Sequence, residues 1–214
     1  MRSLVLLALT ALASAPSLRG QFPDDRRAFE PAITPWIGVA SYGARLSSNV
    51  GKASYSGSVT AGARAEMPLT RRVGLMASAT ISPLAEQKFE SDIASQFVDR
   101  APVYRADVGL GWRFKPRAPV FFYGGGGIVG ATKTAYPDYD ESALDPNVAF
   151  AIGFDRASGG RLSFRAVYAS YLVFPSAPSP SSASGNTALD VQAKSAVYDW
   201  TLELGGRYAL GGRH

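Results

Sequence analysis

From residue 33 onward, apolar residues alternate with polar or small ones at a period of two, the mark of a strand whose two faces meet different surroundings. The clearest run sets Tyr104, Ala106, Val108, Leu110, Trp112 and Phe114 against Arg105, Asp107, Gly109, Gly111 and Arg113. A helical period would mix these two sets. The last segment repeats the pattern, with Tyr198, Trp200, Leu202, Leu204, Gly206, Tyr208 and Leu210 opposed to Asp199, Thr201, Glu203, Gly205 and Arg207. Four further runs, led by Val59, Val73, Val148 and Leu162, behave alike. Segments 36–45 and 120–131 are weaker, because glycine and apolar residues fall on both faces. The pattern predicts an all-β, eight-stranded antiparallel meander.

The links between these runs alternate in length. Short ones carry turn formers, as in Met67-Pro68-Leu69-Thr70-Arg71 and Lys115-Pro116-Arg117-Ala118-Pro119. Long ones fall at 46–56, 82–102, 132–146 and 175–195, and are expected to be mobile loops. Within the last, 175–185 is a Pro/Ser/Ala stretch of low complexity that cannot bury a core.

Alternation does not say which face looks outward. The polar faces are rich in Gly, Ser and Thr, with charge confined to a few positions. That composition suits a crowded lumen better than a solvated exterior. The predicted interior therefore holds a charge network of Arg64, Glu66, Arg105, Asp107, Arg165, Glu203 and Arg207, since unpaired charges there would be expensive. Aromatic residues gather near strand ends, as in the girdles of membrane barrels. The expected girdle is Trp36, Tyr42, Tyr104, Trp112, Phe154, Phe164, Tyr198, Trp200 and Tyr208, with Phe121, Tyr123 and Tyr171 nearby in the same bands.

The closing segment Gly205-Gly206-Arg207-Tyr208-Ala209-Leu210 has glycine, aromatic and apolar residues at the spacing of a C-terminal β-signal. In that reading Gly205, Tyr208 and Leu210 form the signal. The chain as a whole resembles the small OmpA-like, OmpX-like and opacity-type barrels of Gram-negative outer membranes. The resemblance implies an up-and-down transmembrane barrel with short periplasmic turns, long extracellular loops, and the barrel-assembly machinery as a partner during biogenesis.

The start of the chain adds an export route. Arg2, the apolar run from Leu4 to Leu12, and the small-residue patterns around Ala13 and Ala15 have the anatomy of a secretory leader. The expected divisions are a leader at 1–21 cut between 13 and 21, a periplasmic arm at 22–32, the barrel at 33–210 and a tail at 211–214. Cysteine is absent, which removes disulfides and Cys-ligated metals. The net charge of +5 is spread along the chain rather than clustered, so no nucleic-acid surface is read.

Candidate chemistry is sparse. Gly125-Gly126-Gly127-Ile128-Val129-Gly130 matches a dinucleotide fingerprint, but Pro137 and its neighbours break the helix that the fingerprint requires. Asp138, Asp140, Glu141 and Asp145 read as a solvated acidic loop, lacking the glycine and closing glutamate of a Ca²⁺ loop. The one histidine is His214, on the periplasmic side, so no catalytic, cofactor or metal residue is assigned. The expectation is a monomeric, non-enzymatic barrel with a plugged lumen, facing lipid and presenting its loops to an unknown extracellular ligand. Two alternatives stand: a small passive channel or lipid-handling barrel opened at Gly124 to Gly127, and a soluble lipocalin-like barrel.

Overall fold

The computed structural model describes residues 29–48, 51–90, 95–115, 118–132, 144–157, 161–176 and 192–210. The leader, most of the arm, the tail, most of 175–185, and Asp138, Asp140 and Glu141 lie outside these residues.

Thirteen strands are present among the described residues: β1 (Ala32–Ser41), β2 (Leu46–Ser48), β3 (Gly51–Tyr55), β4 (Ser58–Pro68), β5 (Val73–Ser82), β6 (Glu86–Glu90), β7 (Ser95–Arg100), β8 (Val103–Trp112), β9 (Val120–Ala131), β10 (Leu144–Ala157), β11 (Leu162–Val173), β12 (Gln192–Ala193) and β13 (Val197–Ala209). Eight of them close into an antiparallel barrel in the order β1-β13-β11-β10-β9-β8-β5-β4. Closure removes every edge from the wall, because β1 pairs with both β4 and β13. The shortest barrel strands have ten residues. At about 3.3 Å per residue and a tilt of about 40°, ten residues rise about 25 Å, the height of an outer-membrane apolar band.

The alternation sorts as the sequence pattern requires. Ile37, Val59, Ile81, Val108, Leu110, Phe150, Ile152, Leu202 and Leu204 are exposed on the outside. Among the described residues of the eight barrel strands, the outward positions hold one charged side chain, Arg156, at the short-turn end of β10.

Two of the long links, 46–56 and 82–102, are strands rather than loops, and a third, 175–195, contributes the short β12. β2, β3, β6 and β7, joined by β12, form a second five-stranded sheet in the order β12-β2-β3-β6-β7 at the long-loop end. Backbone bonds from Arg45 N–H to Ala53 O, Ser56 N–H to Glu86 O and Ala101 N–H to Ala85 O carry the pairing up from the barrel rim. Leu46, Ala53, Tyr55 and Ala85 are buried there, with Phe89 and Ala193 packed against them. These segments are too short, and too mixed in composition, for alternation to reveal them.

Candidate functional site in the barrel lumen

Among the described residues, six arginines and six carboxylates occupy the interior: Arg45, Arg64, Arg105, Arg113, Arg165 and Arg207, with Glu66, Asp107, Asp145, Asp155, Asp199 and Glu203. They fall into layers. In the lower layer, next to the short turns, Arg165 lies between Glu66 and Asp155, donating to Asp155 Oδ2 at 2.8 Å. Arg113 closes on the same Asp155, and Arg207 Nε donates to Glu66 Oε2 at 3.0 Å. Each carboxylate of this layer therefore meets two guanidinium groups.

In the middle layer Arg64 Nη2 donates to Glu203 Oε2 at 2.8 Å, and the Thr201 hydroxyl donates to the other Glu203 oxygen at 2.9 Å. Asp107 accepts from the Ser78 hydroxyl at 2.7 Å. In the upper layer Asp199 accepts from Arg105 at 2.9 Å, from Arg45 at 3.1 Å and from the Gly43 backbone N–H at 3.0 Å. Arg45 donates as well to Asp145 at 2.9 Å, and Asp145 accepts from the Ser176 N–H at 2.8 Å. Bidentate and shared contacts of this kind suit the planar guanidinium fork.

Rings fill the space between the layers. The Arg105 guanidinium lies 3.5 Å from the Tyr171 ring centroid, and Arg165 lies 4.6 Å from that of Phe121. A gap lined by Thr34, Trp36, Arg64, Arg165, Val167, Glu203 and Gly205 is too narrow for a water molecule.

All seven residues expected to form the lumen network point inward. Arg64 meets Glu203, and Glu66 meets Arg165 and Arg207. Arg105 takes Asp199 as its carboxylate, and Asp107 takes a serine. Arg45, Arg113, Asp145, Asp155 and Asp199 complete the network beyond the seven expected residues. Asp155 shares the inward parity of Ala149, Ala151 and Gly153, so its strand position carried the signal. Asp145 corrects the acidic-loop reading: β10 begins at Leu144, and this carboxylate is buried against Arg45.

The girdle divides. Trp112, Phe154, Phe164, Tyr198 and Tyr208 are exposed on the outer face, and Tyr104 and Trp200 lie on it half-buried. Trp36 is inside, at 5% exposure. Its cross-strand partners on either side are Gly62 and Gly205, and their missing side chains make room for the indole. A Cβ at Gly62 would stand 2.5 Å from Trp36 Cζ2, and one at Gly205 2.8 Å from Trp36 Cβ. Parity held this signal too, since Ile33, Ile37 and Val39 are outward and Trp36 is out of step with them. Phe121, Tyr123 and Tyr171 are likewise buried in the lumen.

Tyr42 also leaves the girdle. Its hydroxyl donates to Ser82 Oγ at 2.6 Å, and its ring meets Tyr55 edge-on beneath the second sheet. Burial raises the Tyr42 hydroxyl pKa, and it pushes that of Tyr55 up to about 12 against the opposing pull of Arg45. Of the proposed β-signal residues, Tyr208 and Leu210 are outward, and Gly205 is the inward residue that Trp36 crosses.

The wall is continuous at the glycine-rich strand. Gly124 to Gly127 pair with β8 on one side and β10 on the other, without a register break.

The chain matches solved membrane barrels. The crystal structure of the outer membrane protein OprG from Pseudomonas aeruginosa superposes with a TM-score of 0.53 at 11% identity, covering 87% of this chain and all of that one. The solid-state NMR structure of outer membrane protein AlkL in DMPC lipid bilayers gives 0.51 at 13% identity, covering 91% and 97%. The fold is that of a small outer-membrane β-barrel. Neisserial surface protein A matches at a TM-score of 0.47 and 16% identity, covering 85% of this chain and all of that one. No family model and no curated protein matches the chain.

Proposed function

We propose that this protein is a sealed outer-membrane barrel with a non-enzymatic role, acting through the structure it presents at the long-loop end. The observation that carries the reading is the partition of charge. Paired arginines and carboxylates fill the inside, while the outer face of the same strands holds one charge at its rim. Such an exterior is insoluble in water and compatible with lipid acyl chains, which argues against a soluble lipocalin-like barrel. Ring-packed ion pairs in a narrow interior argue against a passive channel. The paired wall at Gly124 to Gly127 argues against a lateral opening there.

The long-loop sheet is the surface available to an extracellular ligand. Lys52 and Gln192 are exposed on it, and Lys88 and Glu90 form an ion pair between neighbouring positions. Lipid surrounds a single copy of the barrel, and the barrel-assembly machinery reads Gly205, Tyr208 and Leu210 during insertion after export of the leader-bearing chain.

The test is reconstitution of the purified chain in planar bilayers, with migration on gels compared before and after boiling. A heat-modifiable species with no conductance steps is expected. Reproducible single-channel steps would overturn the sealed-lumen reading, and a species that stays soluble without detergent would overturn the membrane reading.

A further inference from the structure

The short-turn mouth is crossed by three residues that precede β1. Phe29 is fully buried although it lies outside every strand. Its ring rests on Gly74 and Gly111, which are cross-strand partners on β5 and β8. A Cβ at Gly74 would stand 2.6 Å from Phe29 Cγ, and one at Gly111 2.9 Å from Phe29 Cζ. The paired glycines thus form a floor that any side chain would obstruct. Phe121 meets the ring edge-on at 6.5 Å, and the Arg113 guanidinium lies 5.1 Å from its centroid.

The next two residues are held from the other side of the mouth. The Glu30 carbonyl accepts from Arg207 Nη2 at 3.3 Å, and the Pro31 carbonyl accepts from the Leu210 N–H at 2.7 Å. Both donors belong to the closing strand and its end, against β1. The segment is therefore anchored at the seam between first and last strands, while its ring lies on the β5–β8 wall. Arg113 and Arg207, which touch this segment, are also the outermost members of the lower ion-pair layer.

We propose that residues 29–31 form a strap across the short-turn mouth, with the Phe29 ring as a stopper seated in a glycine-floored slot that keeps water from the lower ion-pair layer. The strap gives these residues a role that a solvated periplasmic arm would lack. It also explains two inward glycines that face each other where a packed lumen would otherwise want side chains.

The chain has no cysteine, so an introduced thiol is unique. Met76, buried beside Gly111 and the Phe29 ring, is the reporter position. In the full-length barrel carrying Met76→Cys, a charged water-soluble methanethiosulfonate reagent labels slowly. Adding Phe29→Ala is expected to speed labelling by about tenfold or more, whereas Phe29→Tyr leaves it within about twofold. Equal rates for Phe29 and Phe29→Ala, with both proteins retaining the heat-modifiable folded band, would overturn the strap.

A second measurement does not depend on truncating the ring. Phe29→Trp is expected to add an indole that is blue-shifted and shielded from acrylamide. An added indole quenched as freely as one in solvent would overturn the proposal on its own.

Discussion

The two mouths of this barrel are closed by different chemistry. At the long-loop end the closure is ionic and assembled from distant parts of the chain: Arg45 after β1, Arg105 on β8, Asp145 on β10 and Asp199 on β13. At the short-turn end an aromatic ring is delivered by residues adjacent to the first strand, and beneath it lies an ionic layer in which every carboxylate has two arginine partners. The upper closure depends on one shared carboxylate. The lower one is redundant in its charges and depends on shape at its rim.

That difference ranks the consequences of breaking each end. Asp199→Ala should cost most, about 4 kcal/mol, because it leaves the Arg45 and Arg105 guanidinium groups buried beside one another without their common counter-ion. Urea unfolding of the refolded barrel in lipid measures this, and Asp199→Asn should recover part of the loss by keeping the hydrogen bond from Gly43. Phe29→Ala should follow at about 3 kcal/mol, the cost of removing a buried ring from a preformed slot. A loss larger than that of Asp199→Ala would reverse the ranking of the two mouths.

Arg165→Met tests redundancy and should cost about 2 kcal/mol, since Glu66 keeps Arg207 and Asp155 keeps Arg113. If it proved as damaging as Asp199→Ala, the lower layer would be no more redundant than the upper. Arg45→Lys is milder still, about 1 kcal/mol, because it keeps the charge but loses the fork that reaches both Asp145 and Asp199.

The remaining effect appears only at alkaline pH. The Tyr55 hydroxyl has a folded pKa of about 12, above its ordinary value of 10.0, so its contribution is complete below pH 10 and is lost as pH rises through 12. Tyrosinate absorbance should show this group ionising late, and Tyr55→Phe should flatten the loss of stability over that interval.

Much of the barrel was legible in the chain. The parity of the β8 and β13 segments placed Arg105, Asp107, Glu203 and Arg207 inside and Val108, Leu110, Leu202 and Leu204 outside, because the side-chain period of a strand is two. The same rule, applied at Trp36 and Tyr171, would have moved both into the lumen. Clustering of aromatics near strand ends pointed the other way, and parity is the stronger constraint, since a residue cannot change face without a bulge. The partner of each lumen charge was not legible. Asp199 meets Arg45 and Arg105 inside the closed lumen although they lie 154 and 94 residues away along the chain, and nothing in the sequence marks that meeting.

The sequence by itself determined the strand periodicity, the lumen-facing identity of most charges and the separation of short turns from long links, all consequences of local alternation and turn chemistry. Only the tertiary structure decided what seals each end. The ring of Phe29 finds its slot because Gly74 and Gly111 become neighbours when β5 pairs with β8, and Asp145 leaves solvent because closure brings β10 within reach of Arg45. Register and closure create these contacts, and both are properties of the paired sheet rather than of any one strand.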